Sequence, residues 1–175
     1  MAAAKILVVD DTPANVKLLA DLLTVKGYAV VTAPNGEEGL KRLGEERPDL
    51  VLLDVMMPGL NGYEVCRAIR ADPSTGVLPV VMVTSLDPAQ ERIKGLEAGA
   101  DDFLTKPINQ AELLARVRSL LRIKSLYDQL GELNASLERR VTEQVAQLER
   151  FARLKRFVSP RIGDLIVTGE VDDPL

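Results

Sequence analysis

Residues 50–54 read Leu-Val-Leu-Leu-Asp, and this stretch decides the fold of the chain. Four consecutive apolar residues ending in a carboxylate are typical of a short β-strand that is buried on both faces of a parallel sheet. The runs Ile6–Val9 and Val77–Val83 have the same character, and they lead into Asp10 and Thr84. We therefore predict three buried strands, each followed by a polar residue.

The segments around these strands alternate between helical and extended patterns. Two further strands are predicted at Tyr28–Thr32 and Asp102–Leu104. Apolar residues at helical spacing, with glycine or proline at the boundaries, predict helices at Val16–Leu23, Gly36–Glu46, Asn61–Ala71, Pro88–Ala98 and from about Asn109 onward. Strict strand–helix alternation predicts an α/β fold, a doubly wound, five-stranded parallel sheet with helices on both faces.

Polar residues lie at the carboxyl ends of the predicted strands, where sheets of this type bind their ligands. They are Asp10, Asp11, Asp54, Thr84 and Lys106. Transfer of a phosphoryl group to a carboxylate needs a nucleophilic oxygen, a divalent cation and a fixed positive charge. The five residues supply these three components, although the aspartates are also compatible with simple strand-end caps.

Each residue of the set has an expected role in this chemistry. We predict Asp54 as the phosphoacceptor. Asp10 and Asp11, together with Asp54, are expected to hold Mg²⁺, which prefers oxygen ligands and keeps several waters. The backbone carbonyl of Met56 is a further candidate ligand for the metal.

The remaining strand-end residues are expected to contact the phosphoryl group itself. Lys106 supplies a point charge for the phosphoryl oxygens, and Thr84 offers a hydroxyl that can move toward the group. Pro107 follows the lysine and is a candidate for a cis peptide bond, which only X–Pro bonds adopt at modest cost.

Four segments of the chain resemble motifs of bacterial response-regulator receiver domains: Val8–Asp11, Leu53–Gly59, Val83–Thr84 and Asp102–Pro107. The resemblance covers about residues 4–122 and implies a flavodoxin-like fold. It also implies a phosphoryl group donated by a histidine kinase, and a switch formed by Thr84 and Phe103. Phe103 stands where the family often has tyrosine, so the hydroxyl is lost; plain core packing is the alternative role for this ring.

Composition excludes several other kinds of chemistry. The 175 residues include no histidine, which rules out histidine metal sites, catalytic triads and an internal phosphohistidine donor. One cysteine precludes an intrachain disulfide, and a net charge of −4 gives no indication of nucleic-acid binding. Apolar runs are too short for a membrane span, which needs about 18 residues. We therefore expect a cytoplasmic protein.

The fifth helix has no proline before Pro160 and carries a heptad pattern of apolar residues, which is typical of a coiled coil. We define this seam as Ile123, Leu126, Leu130, Leu133, Leu137, Val141, Val145 and Leu148. Two successive spacings of four, at Leu137–Val141 and Val141–Val145, mark a stutter. A parallel homodimer is predicted; a helix folded back on the first domain is the alternative.

We predict a receiver domain at 1–122, a coiled-coil signalling helix at 123–158 and a linker at 159–175. The segment Arg156–Ile162 resembles the stretch upstream of class III nucleotide-cyclase domains, which implies a cyclase output beyond Leu175. No cyclase catalytic residues are present in the chain. The alternative is a stand-alone adaptor that docks on a separate protein. A DNA-binding regulator is disfavoured, because no helix-turn-helix unit follows the receiver.

Overall fold

A computed structural model of the chain describes residues 3–85 and 88–157. Within these ranges, strands and helices alternate strictly, which confirms the predicted fold class. The strands are β1 (Lys5–Val9), β2 (Ala29–Ala33), β3 (Leu50–Asp54), β4 (Val80–Thr84) and β5 (Asp102–Thr105). The helices are α1 (Pro13–Val25), α2 (Gly36–Glu46), α3 (Gly62–Ala71), α4 (Pro88–Ala98) and α5 (Gln110–Phe157).

The described strands form one parallel sheet in the order β2-β1-β3-β4-β5. Strand β3 is central, with Val9 of β1 opposite Leu53 and Val83 of β4 opposite Asp54. This register brings the carboxyl ends of β1, β3 and β4 to one edge of the sheet. The sheet order also reverses direction between β1 and β3, which is where open α/β sheets bind ligands.

The core lies in two layers because successive side chains of a strand point to opposite faces. Val51 and Leu53 of β3 belong to one buried cluster, and Leu50 and Leu52 belong to the other. All four are at most 1% exposed. Each such side chain contributes about 1.5–3 kcal/mol of transfer free energy, so β3 is anchored from both sides.

Strand β4 begins at Val80, three residues later than the apolar pattern predicts. Val77 is 50% exposed and precedes the strand. Pro79 has no N–H to donate to a ladder. Its carbonyl does accept a hydrogen bond from the N–H of Val51 at 2.9 Å. The predicted start at Val77 was wrong because the apolar pattern does not take into account that Pro79 lacks a backbone N–H.

Helix α5 starts in the core and continues far beyond it. The Asn109 side chain accepts the N–H of Glu112 at 3.1 Å, and Leu113 and Val117 are fully buried. The chain forms two compact units, Met1–Tyr127 and Asp128–Leu175, and the described part of the second is helical throughout. Among the described helices, none has an apolar stretch that could cross a bilayer.

Candidate functional site

Three carboxylates meet at the carboxyl edge of the sheet. Asp10 and Asp11 follow β1, and Asp54 is the last residue of β3. Each offers an oxygen, and these oxygens all lie within 4.8 Å of one another. Asp10 and Asp54 are 2% and 4% exposed, whereas Asp11 is open to solvent. The three residues are predicted from the sequence to share one site, and the structure brings them together.

Lys106 completes the cluster from the other side. Its Nζ donates to Asp10 Oδ2 at 3.1 Å and to Asp54 Oδ1 at 3.2 Å, so one ammonium group bridges two buried carboxylates. The Lys106 N–H donates to the Thr84 carbonyl at 2.8 Å, which fixes the backbone of the lysine to the end of β4. The Lys106–Pro107 peptide bond is cis.

The charges in this cluster do not balance. Burial, together with the negative charge of Asp10, raises the pKa of Asp54 above its ordinary value, although Lys106 acts in the opposite direction. Burial acts to lower the pKa of Lys106, but the hydrogen bond to Asp10 and the charge of Asp54 outweigh it, and the pKa is raised. Asp10 and Asp54 therefore share one ammonium group, and Asp11 adds a third carboxylate nearby. A further cation would relieve the repulsion among the three carboxylates.

The donor set fits Mg²⁺. A hard divalent cation prefers carboxylate oxygens and retains several of its waters, so it needs few protein ligands and an open side. Asp10 and Asp54 provide buried oxygens, and the exposed Asp11 lies on the solvent side. The side chain of Met56 is 59% exposed. The role of the Met56 carbonyl as a ligand stays a prediction.

Asn15 is a site residue that the sequence analysis missed. Its Nδ2 lies 3.2 Å from Asp10 Oδ2 and 3.4 Å from Oδ1, and the N–H of Thr12 donates to Asp10 Oδ1 at 2.8 Å. Together these donors hold the Asp10 carboxylate in one orientation. Pro13 at the first helical position was the available signal, since it places Asn15 in the first turn of α1 beside the strand end.

Gly62 was also missed, because its position indicates only that it lies at the beginning of the predicted helix Asn61–Ala71. A Cβ at this position would collide with the Asp54 carbonyl and lie 2.8 Å from the Cα of Val55. The Gly62 N–H donates to the Val55 carbonyl at 3.0 Å. The missing side chain thus lets α3 begin directly against the end of β3 and keeps the Asp54 backbone in place.

Thr84 and Phe103 lie on the face of the sheet that α4 covers. Thr84 is 2% exposed and Phe103 is 9% exposed. In the sheet register, Thr84 is opposite Thr105 and Met82 is opposite Phe103. Thr84 and Phe103 both line a cavity of about 30 Å³, together with Glu91 and Thr105.

The family of the chain is established by comparison with known proteins. The model of the response regulator receiver domain matches residues 6–118. The chain therefore belongs to the response regulator receiver domain family. Receiver domains act in two-component phosphorelay signalling, take phosphoryl groups from histidine kinases and typically bind Mg²⁺.

Curated relatives share the receiver region. The response regulator PleD of Caulobacter vibrioides is 52% identical over 134 residues, which are 77% of this chain and 30% of that protein. The response regulator MprA of Mycolicibacterium vanbaalenii is 50% identical over 129 residues, 73% of this chain and 54% of that protein. The chain thus spans about a third to a half of the length of these relatives.

Solved structures show the same fold. A response regulator from Chloroflexus aurantiacus has a TM-score of 0.67 and 38% identity, and the match covers 69% of this chain and 98% of that one. The BeF₃-activated receiver domain of Klebsiella pneumoniae RstA has a TM-score of 0.63 and 41% identity, covering 67% and 98%.

Substitution of Asp54 by asparagine should stabilise the fold at neutral pH in metal-free buffer. Because the pKa of Asp54 is raised in the folded state, ionisation costs the folded state more than the unfolded state. The penalty is absent below the ordinary pKa of an aspartate, grows as pH rises through the raised pKa, and then remains constant. Asp54→Asn should remove this loss of stability.

The effect is measured by urea unfolding of the wild type and Asp54→Asn, with EDTA present, from a pH below the ordinary pKa of an aspartate up to neutral pH. Asp21→Asn is a suitable control, since Asp21 is exposed and forms an ion pair with Lys17 on the same helix. Parallel stability profiles for the wild type and Asp54→Asn would contradict the charge imbalance described above.

Proposed function

We propose that this chain is a phosphorylation-controlled signalling module. Asp54 accepts the phosphoryl group, and a dimeric C-terminal helix carries the resulting change to an output. The observation that supports the acceptor role is the convergence of four charged residues at one edge of the sheet. One oxygen each of Asp10, Asp11 and Asp54 lies within 4.8 Å of the others, and Lys106 donates to Asp10 and Asp54. Membership of the receiver family supports the same chemistry.

In the proposed reaction, an Asp54 carboxylate oxygen attacks the phosphorus of a phosphohistidine on a partner histidine kinase. A P–O bond to Asp54 forms as the P–N bond breaks, and the electron pair returns to the histidine ring. Mg²⁺ held by Asp10, Asp11, Asp54 and the Met56 carbonyl would neutralise the phosphoryl oxygens. Lys106, already beside Asp54, then pairs with a phosphoryl oxygen, and its Asp10 contact keeps it aimed at the site.

The proposed readout involves Thr84 and Phe103. The Thr84 hydroxyl lies at the end of the strand beside β3, where a phosphoryl group on Asp54 would offer a new acceptor. Its movement would change the cavity that it shares with Phe103. Phe103 has no hydroxyl, so the ring responds through packing alone.

The acceptor assignment is tested by labelling with acetyl phosphate in the presence of Mg²⁺. Wild-type protein should become labelled, and EDTA should prevent it, because the donor and acceptor are both anionic. Asp54→Asn should abolish labelling, whereas the surface variant Asp21→Asn should label like the wild type. Persistent labelling of Asp54→Asn would refute the assignment.

The proposed dimer rests on the exposed seam of α5. Its eight apolar side chains, from Ile123 to Leu148, are between 49% and 70% exposed within the described chain. Leaving such a continuous stripe in water is unfavourable, and its narrow heptad spacing suits a partner helix. The flanking residues Gln129, Asn134 and Ser136 carry no charge. In this first part of the seam, association would therefore depend on apolar packing, whereas charged residues such as Glu138, Arg140 and Glu149 flank the second part.

Light scattering at micromolar concentration tests the dimer. We expect a mass of twice 19.1 kDa for the wild type, with or without beryllofluoride. Leu130→Glu places a charge in the seam and should yield a monomer. Ala135→Glu adds the same charge outside the seam and should stay dimeric. A monomeric wild type, or equal behaviour of the two variants, would contradict the proposed seam.

The output is proposed from resemblance alone. We assign residues 1–122 to the receiver, 123–158 to the signalling helix and 159–175 to a linker that leads to a nucleotide cyclase. The cyclase-like segment Arg156–Ile162 extends past Phe157 and so lies mostly outside the described residues, as do the predicted helix stop at Ser159–Pro160 and the linker. The rival proposal is a stand-alone adaptor. Both proposals place the protein in the cytoplasm, without nucleic-acid or membrane contacts.

The intact mass of the protein isolated from its own cells separates these outputs. A mass well above 19.1 kDa is expected if the receiver and its helix regulate an attached enzyme. Purified full-length protein should then produce a cyclic nucleotide. A mass equal to that of the 175 residues would refute the attached cyclase and favour the adaptor.

A further inference from the structure

Gly95 lies in α4, directly against the ring of Phe103 from β5. A Cβ at this position would collide with Cε1 and Cζ of the ring and lie 3.2 Å from Met82 Sδ. Glycine within a helix is unfavourable for the backbone, so its presence here needs a reason. The reason in this structure is spatial: the ring fills the volume that a side chain at residue 95 would occupy.

Phe103 also lines the cavity of about 30 Å³ that Thr84 borders. Glu91, from the preceding turn of α4, is 7% exposed, and its Oε2 has no hydrogen-bond partner among the described residues. The ring therefore packs against α4 at Gly95 and also borders the cavity that Thr84 lines.

Phe103 lacks the hydroxyl that could fix an aromatic ring by a hydrogen bond. Packing must then determine where the ring lies, and on α4 the ring lies against Gly95. A change in the cavity beside Thr84 would reach α4 through this contact as well as through Glu91, which lines the cavity. The ring lies between the residue proposed to sense the phosphoryl group and the helix that would display the response.

We propose that Gly95 is a positioning residue for the phosphorylation response. The space left by the missing Gly95 side chain, here called the seat, holds the Phe103 ring in its buried position and couples the ring to α4. This inference rests on the proposed function of Asp54 and Thr84, and it adds a residue outside the acceptor site to that mechanism. A side chain placed in the seat should prevent α4 from responding to phosphorylation of Asp54, without preventing the phosphorylation itself.

Fluorine NMR of full-length protein labelled with 4-fluorophenylalanine tests the seat. The chain has three phenylalanines, and Phe151 and Phe157 are 75% and 89% exposed, so the buried Phe103 should resonate apart from them. Phe103→Leu assigns its signal. Gly95→Ala should move that signal toward the exposed pair. It should also abolish the shift that Mg²⁺ and beryllofluoride cause in the wild type, while labelling by acetyl phosphate persists.

Gly44→Ala is the matched control. Gly44 also lies within a helix, but a Cβ there would meet nothing within 4 Å. This variant should keep the Phe103 signal and its response to beryllofluoride. An unchanged Phe103 signal and response in Gly95→Ala would overturn the proposal.

A second comparison covers the case in which Gly95→Ala unfolds. In a Phe103→Ala background the added methyl group has space, so Gly95→Ala should lower the unfolding midpoint far less than it does in the wild type. Equal losses in both backgrounds would overturn the seat. If acetyl phosphate does not label the wild type and beryllofluoride does not shift its Phe103 signal, the proposed function is wrong. The proposed role of Gly95 is then still tested by comparing the Phe103 signal of the wild type and Gly95→Ala without ligand.

Discussion

Burial of β3 on both faces is the constraint on which the rest of the structure depends. The strand is the centre of the sheet, and its apolar side chains feed both core layers. Because Asp54 is part of this strand, its side chain is almost completely buried at the edge of the sheet. Neighbouring strands then place Asp10 on one side and Thr84 on the other. The packing of the core thereby fixes the position of the proposed acceptor residue.

A buried carboxylate beside a second carboxylate is unfavourable unless it finds a counter-charge. Lys106 provides it from β5, two strands away, and so joins the edge of the sheet to its centre. Asn15 and the backbone of Thr12 orient Asp10 without adding charge. The site is consequently ordered but remains short of positive charge, a state suited to receiving a cation and a phosphoryl group.

Most of the fold was predictable because its signals are local. Apolar runs mark the central strands, and Asp10, Asp54 and Thr84 were found because each follows such a run. Lys106 was found because it follows the short predicted strand Asp102–Leu104. The two glycines that were missed act through close approach of distant segments, whereas Asn15 acts on the nearby Asp10. Gly62 matters because of the Asp54 carbonyl, and Gly95 because of a ring on another strand. A single sequence shows that these glycines exist, but not what lies opposite them.

The crowding of Asp10, Asp11 and Asp54 also has a thermodynamic consequence for the two proposed ligands. If Mg²⁺ lowers the cost of placing a phosphoryl group beside these carboxylates, then by reciprocity the phosphoryl group must tighten the hold on Mg²⁺. The modified protein would keep its metal at concentrations at which the unmodified protein has released it. The fraction of protein phosphorylated on Asp54 would then depend on two inputs together, the activity of the kinase and the concentration of free Mg²⁺.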